Sequence, residues 1–162
     1  MTSARVRRVE VPQTALTVGA GGGAAYASAF ELPSAQARAR TPEQWARAAF
    51  EGAPAPLRGM LVLGWRFALG LRLGPRPSPG HVLGWPVAET GPDAVALEAR
   101  SGLITARNVV TVSATGVVWS TFVRYESRIA RPVWAAIAPV HHLAIPYLLA
   151  RANRRPHPSG PG

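Results

Sequence analysis

The alternation of apolar and polar positions is sharpest in the second half of the chain. From His81 onward apolar residues recur at every second position, the spacing that puts strand side chains on one face. Turn residues interrupt the pattern at Gly91, Pro92 and Asp93, at Ser101 and Gly102, and at Thr115 and Gly116. Four strands are predicted, over about 81–89, 94–100, 103–113 and 117–127, and connections this short make neighbours antiparallel. Alternation also assigns faces. Val95, Leu97 and Ala99, then Ile104, Ala106, Val110 and Val112, then Trp119, Thr121, Val123 and Tyr125 share the inner side, with Asn108 the polar member of its row. Glu98, Arg100, Arg124 and Glu126 fall on the other side, as a solvated face. A slip of one residue would exchange Asn108 for Arg107 and turn the inner side cationic, favouring a carboxylate or phosphate there.

The first half mixes periods. Residues 5–12 and 26–32 read as short strands, the second alternating Tyr26, Ser28, Phe30 and Leu32 with its other face. Between them lies the glycine run VGAGGGAAYA. TPEQWARAAFEG predicts a helix over about Pro42–Glu51: Thr41 caps it, Pro42 suits the first turn, Gln44 completes a capping box and Gly52 stops it. A second helix spans about Pro56–Leu71, weakened by Gly59, Gly64 and Gly70, with a break expected near Gly64. A long last helix runs from about Arg131 to Ala152, bent by Pro139 and Pro146. Its expected buried side is Val133, Ile137, Val140, His141, Ala144, Leu148 and Ala152. The chain thus reads as one α+β domain over 1–152, with 153–162 a disordered tail lacking any apolar anchor.

Composition removes several classes of function. With no cysteine, disulfides, thiolate metal sites and cysteine nucleophiles are excluded. The net charge of +10 suggests a polyanion, yet all eighteen basic residues are arginine, six of them lie near the chain ends (Arg5, Arg7, Arg8, Arg151, Arg154, Arg155), and none forms a stripe. Specific nucleic-acid binding is therefore not expected. No apolar run follows the basic N-terminus, so a secretory signal is not visible and the cytoplasm is the expected location. Residues 132–150 carry no formal charge over a length that could span a bilayer, but their prolines, histidines and flanking arginines argue for a buried core helix instead. Gly19, Gly21 and Ala24 have the spacing of a dinucleotide fingerprint, but Pro33 and a polar stretch follow where a helix is required; no cofactor is expected.

The order of strand, two helices, an antiparallel run and one long C-terminal helix resembles the helix-grip superfamily, which includes START lipid-transfer, birch-pollen-allergen-like and polyketide cyclase-like proteins. More closely, TFVRYESRIARPVWAAIAPVHHLAIPYLLARA resembles the C-terminal signature of the bacterial family called domain of unknown function 2867, with Trp134, Pro139, His141 and Leu148 at its marked positions. The resemblance implies a sheet wrapped around the long helix and a largely apolar cavity between them. It does not choose among a sterol-, lipid- or polyketide-like ligand, nor between carrier and enzyme.

Candidate chemistry is sparse. His141 is the one candidate proton-transfer group, although no carboxylate is placed to orient it and a core histidine with one ring nitrogen bonded to a carbonyl is the simpler account. His142, about 100° away on the helix, is expected in solvent, and the pair cannot easily chelate one metal. Asn108, Thr121 and Tyr125 can hydrogen-bond a ligand oxygen, with Trp119 and Ile137 as apolar wall; cross-strand pairing inside a packed core is the competing role. The expected function is binding of an apolar small molecule at Asn108, Trp119, Thr121, Tyr125, Ile137 and His141. The alternatives are a cyclase- or dehydratase-like enzyme in the same cavity and a protein of the membrane surface.

Overall fold

The computed structural model describes residues 5–19 and 23–154. In chain order the elements are β1 (Arg7–Val9), α1 (Gln13–Gly19), β2 (Tyr26–Pro33), α2 (Pro42–Phe50), α3 (Ala55–Leu63), β3 (His81–Val82), β4 (Trp85–Thr90), β5 (Ala94–Arg100), β6 (Ile104–Val112), β7 (Gly116–Tyr125) and α4 (Ala130–Arg154). The strands form one antiparallel sheet in the order β1-β2-β7-β6-β5-β4-β3. Helices α2 and α4 pack against its inner face, so the fold is α+β in the helix-grip arrangement, a long C-terminal helix held by an antiparallel sheet.

Local chemistry explains where the elements begin. The capping box of α2 is complete, Thr41 Oγ1 accepting from the Gln44 backbone N–H while Gln44 Oε1 accepts from that of Thr41. Trp45 and Phe50 then enter the core, and the Trp45 indole donates to the Ala37 carbonyl. The turns of the meander fall where glycine, proline and serine predict them, and Ser101 Oγ accepts from the Leu103 and Ile104 backbone N–H groups. At Gly64 the helix widens into a π turn over Gly64–Ala68, with the Leu69 N–H reaching back five residues to the Gly64 carbonyl.

The register is the one in which Asn108 faces inward, opposite Leu97 and Thr121. Arg107 lies on the outer face, 2.5 Å from Glu98 and 2.6 Å from Glu89. The inner side is therefore not cationic. Its rows from β5, β6 and β7 join Leu32, Phe30, Phe50, Trp45, Leu148 and Leu149 in the main core.

Several expectations are corrected. The first strand is only three residues, because the chain turns at Pro12 into α1, which the pattern left unassigned. Helix α1 covers the middle of the outer face, where Ala15 packs with Ala96, Val109 and Phe122 in a second, smaller core. The outer face is thus solvated only toward its ends. The expected strand over 81–89 is two strands, reversed at Leu83 and Gly84, both with positive φ (47° and 90°). The buried side of α4 is Ala130, Trp134, Ile145, Leu148, Leu149 and Ala152. Val140, expected inside, is exposed, and the opposite side of the helix is open, so α4 is not a fully buried core helix. By length and composition alone it could cross a membrane, with a mean hydropathy of 1.4 over its most apolar window. It also runs two residues past the expected tail boundary; residues 155–162, like Gly21 of the glycine run, lie outside the described residues. Gly19 ends a helix and Ala24 leads into a strand, the reverse of the dinucleotide-binding order.

Candidate functional site: a cavity between the sheet and α4

A cavity of about 300 Å³ lies between the inner face of the sheet, the turn that ends α3, and α4. Its walls are mostly apolar. Phe50 from α2 and Trp65 from the π turn pack with tilted rings at a 5.0 Å centroid separation, Trp65 meets Trp85 edge-on at 5.5 Å, and Phe50 packs, again tilted, on Trp119 at 4.8 Å. Trp85 is placed by the tight turn before it, since the reversal at Leu83 and Gly84 starts β4 at this position. From α4 come Trp134, Ile137, Val140, His141, Ala144, Ile145 and Leu148. Leu61, Met60 and Ala68 close the side toward α3.

Two side chains make the polar part of the sheet wall. Asn108 and Thr121 face each other across β6 and β7, and both line the cavity. The Trp119 indole N–H donates to Asn108 Oδ1 at 3.0 Å, and the Thr121 hydroxyl donates to the same oxygen at 2.7 Å. An indole can only donate, so this contact fixes which end of the amide carries the oxygen. The amide nitrogen of Asn108 then makes no hydrogen bond among the described residues. It is a donor on an otherwise apolar wall.

His141 belongs to the same cavity from the helix side. Its ring sits 5.5 Å from Trp134, and its Nε2 is sealed from solvent without a hydrogen-bond partner among the described residues. Burial lowers its pKa to about 4, helped by His142 and Arg8. The ring is therefore neutral near pH 7. The indole nitrogens of Trp85 and Trp134 are likewise buried and unpartnered among the described residues, so three residues of the wall hold unsatisfied ring nitrogens.

Of the six residues expected at the site, Asn108, Thr121, Ile137 and His141 line the cavity together. Trp119 lies behind the wall, where its indole holds Asn108 in orientation, and Tyr125 packs at the margin of the core opposite Ile104. His142 is not turned into free solvent: its Nε2 meets the Tyr26 hydroxyl, and its ring stacks on Tyr26 with centroids 6.0 Å apart and approaches Phe30. Tyr26 in turn has its pKa raised by burial. Sequence reasoning did not single out Trp65 or Trp85 as site residues. Trp65 lies in the π turn that ends the second helix and Trp85 opens β4 directly after the proline- and glycine-rich stretch, where a bulky aromatic was the available signal.

No curated protein and no solved structure matches the chain. The model of one family, described as protein of unknown function (DUF2867), matches residues 20–148 and so takes in β2, the whole sheet beyond it and the cavity-lining part of α4; the chain belongs to that family.

Proposed function

We propose that the protein binds a small, largely apolar molecule in this cavity and serves as its carrier in the cytoplasm. The observation that carries the reading is an apolar cavity with an unpartnered donor, the Asn108 amide, oriented on its sheet wall by Trp119 and Thr121. Cavities that hold small ligands combine apolar surface with a few oriented polar groups in this way, and a volume of about 300 Å³ lies at the small end of their range. The fitting ligand is a compact ring system or short chain with a carbonyl or hydroxyl oxygen for Asn108. A cyclase- or dehydratase-like enzyme would use the same space. His141 counts against it, because a general base works best with a pKa near the operating pH and this one is held at about 4. No carboxylate among the described residues hydrogen-bonds its ring.

Trp65, Trp85 and Trp134 line the cavity, so the protein carries its own fluorescent reporter. Native mass spectrometry of protein purified from lysate should reveal a retained small molecule, and adding that molecule to stripped protein should shift tryptophan emission saturably. Asn108→Leu should weaken binding by about tenfold, the worth of one hydrogen bond, and Ala144→Trp should block it. Protein that retains nothing and whose emission ignores a series of alkyl and aryl ketones would overturn the proposal. Turnover of the recovered compound, lost in His141→Ala, would replace the carrier by the enzyme.

A further inference from the structure

The mouth of the cavity is framed by two helical segments whose outer sides are apolar. Met60 lines the cavity from α3 and is itself exposed; Leu63 and Phe67 continue outward from it at helical spacing, Phe67 being 79 % exposed. Across the mouth Val140 lines the cavity from α4, and Leu143, 77 % exposed, and Tyr147 continue outward in the same way. Of the eight large apolar side chains exposed among the described residues, these are six. Scattered apolar residues need no explanation, but a cluster around one opening does.

The charges in the two sequence stretches that supply this rim have one sign. No aspartate or glutamate occurs anywhere in residues 52–88 or 127–162, the stretches that hold both sides of the mouth. The arginines of the first stretch include Arg66, Arg72 and Arg76 and those of the second Arg128 and Arg131, and none of these five forms an ion pair among the described residues. A second copy of the chain would bring these like charges together. A partner surface that accepts aliphatic and aromatic side chains without directional hydrogen bonds, and that is negatively charged, is the headgroup region of an anionic bilayer.

We infer that the rim formed by Met60, Leu63, Phe67, Val140, Leu143 and Tyr147 docks on anionic lipid bilayers, with the flanking arginines at the headgroups and the cavity mouth turned toward the lipid. Helix α4 then lies along the surface rather than across the membrane, because its other side remains packed on the sheet. The docking is independent of what the cavity holds, so a failed ligand search leaves it untouched and a failed docking test leaves the carrier reading untouched.

Co-sedimentation of the full chain with phosphatidylcholine vesicles, with and without phosphatidylglycerol, tests the inference. Binding is expected only to the anionic vesicles. Because a net charge of +10 alone attracts such vesicles, the deciding variant changes no charge. Phe67→Ser combined with Leu143→Ser should lower the partition coefficient by about tenfold or more, while Leu16→Ser, an exposed apolar residue on α1, should leave it unchanged. All these positions are exposed, and circular dichroism should confirm that each variant keeps its fold. Equal binding by wild type and the double variant would reduce the effect to bulk charge and overturn the inference, as would absence of binding to anionic vesicles or a wild-type dimer that the double variant dissolves.

Discussion

Replacing Asn108 by leucine tests the polar element of the cavity wall without reference to any ligand. In the wild type one oxygen satisfies two buried donors, the Trp119 indole at 3.0 Å and the Thr121 hydroxyl at 2.7 Å. Leucine has a similar branched shape but accepts nothing. The Thr121 hydroxyl can rotate toward another acceptor, whereas the Trp119 N–H is fixed in a fully packed ring and stays orphaned, at a cost of about 1–3 kcal/mol. Adding the weakened Thr121 and subtracting roughly 1 kcal/mol for the apolar atoms gained gives a net destabilisation of about 2 kcal/mol. With a urea m-value of about 2 kcal/mol/M, the midpoint should fall by about 1 M with the slope unchanged. The same substitution in a Trp119→Phe background has no indole to orphan. Its cost should be smaller by at least about 1 kcal/mol, the coupling of the pair. A cost below about 0.5 kcal/mol, or the same cost in both backgrounds, would show that the Asn108 oxygen is not the acceptor this geometry makes it.

Three further outcomes are expected. His141 has its pKa lowered from 6.5 to about 4, so the unfolded chain takes up the proton first; stability is full above pH 6.5 and is lost as pH falls through that window, by about 3 kcal/mol at the limit, and His141→Phe should flatten this part of a denaturation series. Gly116→Ala places a Cβ 2.6 Å from the Leu32 carbonyl oxygen and 3.2 Å from Pro33 Cα, both backbone of β2, and should cost about 1–3 kcal/mol by parting the two strands; Gly102→Ala, whose Cβ meets nothing within 4 Å, should be near neutral in the same thermal melts. Thr41→Ala removes the cap of α2 and should lower stability by about 1 kcal/mol, with Thr41→Ser restoring most of it.

How far the sequence could be read depended on how sharply each element separated its two sides. In β6 and β7 the alternation is strict, so Asn108 and Thr121 were placed on the inner face, where the structure has them opposite each other. Alternation gives a face but not a depth. Trp119 and Tyr125 share that face, yet one is sealed behind the wall and the other reaches only the core margin. Helix α4 is apolar nearly all round, which left its phase to be guessed, and Val140 was assigned inside although it stands at the mouth. Helix α1 has seven residues beside a glycine run and follows a proline rather than a Ser, Thr, Asp or Asn, too little for a periodic signal; its cover over Phe122 was therefore invisible. The turn at Leu83 and Gly84 was hidden because leucine at positive φ carries no compositional mark.

The pairing of β2 with β7 has a consequence for how the chain acquires its shape. Tyr26 lies against Val123 and Leu32 against Val117, so this seam joins the ends of a loop that contains most of the protein. Strands β4 to β7, by contrast, zip up through successive hairpins of nearby residues. Closing a long loop carries an entropy cost that local hairpins avoid, which makes the meander the natural nucleus and β2 a late arrival. During synthesis the N-terminal half must therefore remain uncommitted, with Phe30 and Leu32 unprotected, until β7 has left the ribosome. In refolding kinetics Val110→Ala in β6 should mainly slow folding and Leu32→Ala in β2 should mainly speed unfolding; the reverse pattern would place the nucleus at the seam.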